Sequence, residues 1–141
     1  MPTFADDSGI EIDVLNGEPG VHAAHYGTPS TRESQDQANR RKVLEALKGK
    51  TNRRARMRCT IVFMVEGLVL KAEGVCEGTI AEKEHGTAGF GYDPIFLPEG
   101  ANGKSFGELN QEEKNRLSHR ALAVNDLVRL MNEREVQLVR P

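Results

Sequence analysis

The stretch ARMRCTIVFMVEGLVLKAEGVCEGTI, residues 55–80, decides how this chain folds. Ala55, Met57, Cys59, Ile61, Phe63 and Val65 occupy the odd positions, while Arg56, Arg58 and Thr60 fall between them. A period of two sends the two sets to opposite faces, which predicts a half-buried strand over Ala55 to Val65. Glu66-Gly67 suits a two-residue turn, so the segment from Leu68 to about Ile80 returns antiparallel with Val65 opposite Leu68. In that register Cys59 faces Gly74 and lies diagonal to Cys76. Diagonal neighbours match disulfide geometry poorly, so both cysteines read as reduced core thiols. The basic run Arg53, Arg54, Arg56 and Arg58 reads as a solvent-facing or edge-protecting face, which alternation explains without a ligand.

Upstream of the hairpin, Ile10, Ile12 and Val14 alternate with Glu11 and Asp13, predicting a strand over Ile10 to Leu15. A turn-rich loop follows, and Ser30 with Glu33 three positions later predicts a capping box and a helix start. Ala38, Val43, Leu44 and Leu47 form its apolar stripe, with Gly49 as its stop. Downstream, Asn110 and Glu113 predict a capping box for a short helix at Gln111 to about Leu117, and Ser118 can cap a second helix. In that last helix Val124, Leu127, Val128 and Met131 recur at i, i+3, i+4 and i+7, which predicts packing on the sheet. Strands and helices interleave around a hairpin. The fold class expected is α/β, a mixed β-sheet with flanking helices, with residues 1–141 as a single domain.

Composition excludes several functions. With 141 residues, 19 Lys and Arg against 21 Asp and Glu, and a net charge of −2, no positive surplus is left for a duplex phosphate backbone. No nucleic-acid partner is expected. Apolar runs such as Ile61 to Val65 are too short to cross a bilayer, and the first residues lack the order of a secretory signal. No membrane partner is expected, and the chain reads as cytoplasmic. Two cysteines are too few for a disulfide framework and lack zinc-ribbon spacing. His22, His25 and His85 have no spacing suited to a shared metal.

Three segments carry side chains that packing does not require. Ala5-Asp6-Asp7-Ser8-Gly9 places two carboxylates before a Ser-Gly turn, chemistry suited to Mg²⁺ and an attacking water, and equally to an ordinary turn. Gly89-Phe90-Gly91-Tyr92-Asp93-Pro94 lets backbone approach a ligand, offers rings to stack on a planar base and offers Asp93 as an acceptor. The same pattern also serves as a tight sheet-edge turn, and it lacks the third glycine and following helix of a dinucleotide fingerprint. Glu113-Lys114-Asn115-Arg116-Leu117-Ser118-His119-Arg120 puts His119 and Arg120 in the first turn of a helix. Cations there are locally unfavourable, so either a phosphate or carbonyl-bearing base is gripped or the face is simply solvated.

Taken in order, ADDSG with IEIDVLNGEPGVHAAHYG, then GTAGFGYDPIF, then EEKNRLSHRA, the chain resembles the inosine triphosphate pyrophosphatase family over nearly its whole length. The resemblance implies Mg²⁺-dependent hydrolysis of non-standard purine nucleoside triphosphates such as ITP, dITP and XTP to the monophosphate and pyrophosphate. It implies an active site in a cleft between two lobes, a purine nucleotide substrate and a homodimer. It gives Asp7 the roles of general base and metal ligand, with Ser8 contacting substrate and Asp6 in support. Phe90, Gly91, Tyr92 and Asp93 would line the nucleotide pocket. Lys114, His119 and Arg120 would contact substrate, the last two reading the 6-keto group.

The resemblance also implies a strand, a Ser/Thr-x-x-Asn-x-x-Lys phosphate-binding motif and a second metal-ligating Glu upstream of ADDSG, whereas Met1-Pro2-Thr3-Phe4 already matches the lead into that motif. The expectation is an N-terminally truncated relative covering the C-terminal two-thirds of the family fold. Its phosphate grip would be weakened, and its uncovered sheet edge and apolar surface would be covered by a partner chain or rearranged. The alternative function is a catalytically impaired nucleotide-binding or dimeric assembly module.

Overall fold

Residues 55 to 80 form the expected hairpin. In the computed structural model β2 (Arg54–Val65) and β3 (Leu68–Ile80) pair antiparallel with Val65 opposite Leu68, Cys59 opposite Gly74 and Met57 opposite Cys76. The odd residues of β2 from Ala55 to Phe63 are buried, Val65 at the turn is partly buried, and the even ones are partly or fully exposed, as the alternation requires. Both cysteines are free and buried. The structure describes the backbone of residues 2–139 and the side chains of residues 2–133.

Two further strands complete a sheet of order β1-β2-β3-β4 in which every described pairing is antiparallel. β4 (Phe96–Pro98) pairs with the end of β3, and β1 (Thr3–Ile12) pairs with the whole of β2. β1 corrects the expectation of a strand at Ile10 to Leu15. It begins seven residues earlier, contains all of ADDSG, and gives way at Asp13–Leu15 to a 3-10 turn. Residues 5–9 carry no apolar alternation, so only the free backbone edge of β2 makes them a strand.

Three helices flank the sheet: α1 (Gln35–Ala46), α2 (Gln111–Leu117) and α3 (His119–Val139). The capping box of α1 belongs to Ser34 and Gln37, not to Ser30 and Glu33. The Gln37 N–H donates to Ser34 Oγ at 3.1 Å and the Ser34 N–H to Gln37 Oε1 at 2.9 Å. Ser30 and Glu33 close a separate turn one step upstream. The Asn110–Glu113 box on α2 forms as expected, and Ser118 Oγ accepts from the Ala121 N–H at the start of α3.

The stripe expected to seat α3 needs correction. Ala123 and Leu127 are buried and Leu130 packs beside them, whereas Val124, Val128 and Met131 are exposed. The helix is rotated because its closest approach to the sheet is at Gly74. A Cβ there would stand 2.1 Å from the His119 carbonyl oxygen and 2.3 Å from the Ala123 nitrogen. Backbone contact at a Gly–Ala crossing, not side-chain bulk, sets which face turns inward.

One sheet face carries two adjoining apolar clusters. Ile10, Ile12, Met57, Val43, Leu47, Tyr92, Phe96 and Phe106 belong to the first, beneath α1 and the loops of residues 89–109. Cys59, Ile61, Phe63, Leu70 and Ala72 belong to the second, beneath α3. The opposite face is a ladder of ion pairs. Among the described residues no helix is long and apolar enough to cross a membrane.

Candidate nucleotide site

At the seam between the two clusters lies a cavity of about 710 Å³. Ile10 and Met57 form its apolar floor, Asp36 and Asn39 of α1 one wall, and Lys114, His119 and Arg120 the other. The loop carrying Phe90, Gly91, Tyr92 and Asp93 closes a third side, and Ser8 stands at the edge. Eight of the nine candidate residues thus meet here, from segments more than a hundred positions apart.

The ninth does not. In β1 the side chains of Asp6 and Ser8 share the face of Ile10 and lie opposite Ile61 and Cys59, so Asp7, opposite Thr60, points to the other face. There it joins Glu11, Arg56 and Arg58 outside the cavity. The carboxylate on the cavity side is that of Asp6, which accepts a hydrogen bond from the Arg120 guanidinium. Arg120 also donates to Ser8 Oγ at 3.3 Å.

Asp93 organises the wall. It is buried, pairs with Lys114 Nζ at 2.7 Å and accepts from the Phe90 N–H at 3.2 Å. Lys114 lies 5.4 Å from the centre of the Phe90 ring, whose exposure of 66% leaves a face free for stacking. Tyr92 is buried instead. Its hydroxyl donates to the Ala23 carbonyl at 2.6 Å, and burial pushes its pKa up, so it supports the loop rather than touching a ligand through its oxygen.

His119 sits against the Phe106 ring, centroids 6.4 Å apart. Burial holds its pKa down at about 4. The Asp93 charge opposes that shift, while Arg120 and Lys114 reinforce it. The imidazole is therefore neutral at pH 7, and its buried Nδ1 has no hydrogen-bond partner among the described residues. A neutral ring beside a guanidinium presents directional polar groups to a planar heterocycle without adding a second charge.

The carboxylates nearest the cavity, Asp6, Asp36 and Asp93, are each already hydrogen-bonded within the protein. Among the described residues no three His, Cys, Asp or Glu side chains converge on a point that could hold a metal. Asp6 is engaged by Arg120, and Asp7 faces away.

Sequence reasoning missed Asp36, Asn39, Gln111, Asn115 and Asn125 along the walls. One signal was present for α1: Asp36, Asn39 and Arg40 fall at i, i+3 and i+4, a polar stripe on one helix face beside the apolar one.

A one-faced α/β sheet with a cavity floored by apolar groups and walled by cations and a stacking loop defines a class of small-ligand protein suited to planar, anionic ligands. Residues 1–130 match the model of the Ham1 family, and the chain belongs to that family. It is 43% identical over 130 residues to a dITP/XTP pyrophosphatase of Christiangramia forsetii, covering 92% of this chain and 66% of that one. It is 49% identical over 128 residues to a dITP/XTP pyrophosphatase of Methylococcus capsulatus, covering 87% and 62%. The Staphylococcus aureus Ham1 protein superposes with a TM-score of 0.83 at 38% identity, over 95% of this chain and 68% of that one. The chain spans about two thirds of the length of the curated relatives it matches.

Proposed function

We propose that this chain hydrolyses non-standard purine nucleoside triphosphates such as ITP, dITP and XTP to the monophosphate and pyrophosphate. The observation that carries the reading is the meeting of the Phe90 loop, Lys114, neutral His119 and Arg120 in one cavity. A 6-keto oxygen accepts hydrogen bonds from guanidinium and imidazole donors, whereas the 6-amino group of adenine does not. The activity in the relatives' names is consistent with that chemistry. Phe90 stacks on the base, Lys114 and Arg120 supply positive charge, and Ser8 contacts the substrate at the cavity edge.

The products define the bond broken, the anhydride between the α and β phosphorus atoms, with water adding across it. In this reading Asp7 is the base that takes the water's proton, which requires the start of β1 to leave the edge of β2 and turn Asp7 toward the bound triphosphate, and Asp6 holds Arg120 in place. Magnesium enters with the triphosphate as its complex, since this cation reaches phosphates through few carboxylates and many waters. The protein acts in the cytoplasm as a homodimer. Free buried cysteines support the compartment, and the exposed Phe4, Val124, Val128 and Met131 support the assembly.

One observation favours a second reading, a nucleotide-binding or dimeric assembly module without hydrolysis: Asp7 lies on the face away from the cavity. Pyrophosphate release from ITP, dITP, XTP and ATP, at micromolar protein and excess Mg²⁺, decides between them. Release from the 6-keto substrates at least about tenfold above ATP is expected. No release from any of them removes the hydrolase reading, and inosine monophosphate binding by calorimetry then tests the module. Asp7→Asn lowers hydrolysis by about 100-fold or more if Asp7 is the base, and leaves monophosphate binding unchanged in either reading.

A further inference from the structure

The loop that carries Phe90 is gripped by a helix that no motif draws attention to. Asp36 and Arg40 lie one turn apart on α1, and both reach Gly91. The Gly91 N–H donates to Asp36 Oδ2 at 3.0 Å, and Arg40 donates from its NH1 nitrogen to the Gly91 carbonyl at 2.7 Å. These two groups belong to successive peptide units, flanking a Cα whose φ is +64°. Gly89, on the other side of Phe90, is left-handed too at +78°, and holding both units of Gly91 fixes the second of the two left-handed residues that aim the Phe90 ring.

The remaining polar groups of the turn are accounted for as well. Asp93 accepts from the Phe90 N–H at 3.2 Å, and the Asp93 N–H donates to the Phe90 carbonyl at 3.2 Å. Every backbone donor and acceptor of Phe90 and Gly91 is therefore engaged, and the Phe90 ring alone is loose, exposed over the cavity. Arg40 is itself buried, and its Nε stands 3.2 Å from the Glu84 carboxylate in an ion pair without hydrogen-bond alignment. Asn39, between them, ties the same helix to the cavity's other loop by donating to the Ala23 and Ala24 carbonyls at 3.1 Å each.

We propose that Asp36 and Arg40 are positioning residues that set the height of Phe90 above the cavity floor, and so the fit of the planar base between ring and floor. The proposal rests on the nucleotide reading given above. Asp36 also lines the cavity while remaining exposed, so its removal disturbs the loop without opening a hole in the core.

The test uses the intact chain and inosine monophosphate as probe, with affinity read by calorimetry, stability by thermal unfolding and loop anchoring by exchange of the Gly91 amide. Asp36→Ala is expected to weaken binding about 5- to 20-fold, the loss of one charge-assisted hydrogen bond. It should speed Gly91 exchange while leaving the β2–β3 amides unchanged, and lower Tm by less than about 3 °C. Asp36→Asn keeps an acceptor but loses the helix-dipole charge just as alanine does. Its return of affinity to within about twofold of the parent separates the clamp from helix stability. Arg40→Lys, which keeps charge without the planar fork, should weaken binding in the same direction. Binding by the parent chain that Asp36→Ala leaves unaltered overturns the clamp alone. No binding by the parent chain overturns the nucleotide reading instead.

Discussion

The two faces of the sheet use the same side chains to opposite ends. On the outer face Arg56 pairs with Glu77 and Asp13 at 3.0 Å each, and Arg58 pairs with Glu11 at 3.0 Å. On the inner side Asp93 pairs with Lys114 at 2.7 Å, and Asp6 with Arg120. The outer pairs are wet, redundant and cross-strand, and exposed pairs of that kind are worth a fraction of a kcal/mol each. Asp93 is buried, and it satisfies a backbone N–H as well as an ammonium group. Burial multiplies the cost of breaking a pair without making the intact pair a large source of stability. One set keeps a sheet face soluble, and the other holds charge where a ligand can meet it.

Asp93→Ala breaks the contrast most severely. It strands Lys114 and the Phe90 N–H together, and about 3 kcal/mol of stability should be lost in urea denaturation, with nucleotide binding lost too. An Asp93→Ala variant as stable as the parent would place this pair with the exposed ladder.

Acid should act next. His119 titrates near 6.5 when unfolded but near 4 when folded, because burial disfavours its charged form. The folded state therefore binds fewer protons between those values, so this contribution is full above pH 6.5 and is lost as pH falls toward 4. The loss should be on the order of 2 kcal/mol and should be absent in His119→Phe. An equal acid response in that variant would remove His119 as its source.

Chelation sharpens the division between protein and substrate. With EDTA present, pyrophosphate release should stop while the unfolding midpoint stays fixed, because the described residues form no metal cage. A lower midpoint would reveal a resident ion. Smallest of all, Glu77→Ala on the outer face should cost less than about 1 kcal/mol and leave binding untouched, since Arg54 and Arg56 keep Glu99 and Asp13 as partners.

Much of this was legible in the chain, and the limits follow from range. The hairpin register, the Asn110 capping box and the membership of Ser8, Phe90, Lys114, His119 and Arg120 in one cavity were all anticipated. Hairpins and caps are set within a few residues, and motif order brought the cavity together. The strand through ADDSG was missed because its only cause is an edge of β2 some fifty positions away. The orientation of Asp7 followed from the same miss, since a turn leaves both carboxylates free to converge and a strand separates them. The rotation of α3 depends on a Gly–Ala contact that apolar periodicity does not weigh. Asp36 and Arg40 look like helix surface until Gly91 arrives from 55 and 51 residues away.

The two-residue turn at Glu66-Gly67 also has a kinetic meaning. Contacts across β2 and β3 begin between residues three apart and close outward like a zipper, whereas β1 must find β2 across an intervening loop and α1. Local pairing costs little loop entropy, so the hairpin is the natural folding nucleus and β1 a late arrival. Substitutions in the hairpin should then slow folding, while those in β1, including at Asp6 and Asp7, should mainly hasten unfolding. The strand that brings Asp6 and Ser8 to the candidate site would be the last part of the sheet to form and the first to leave.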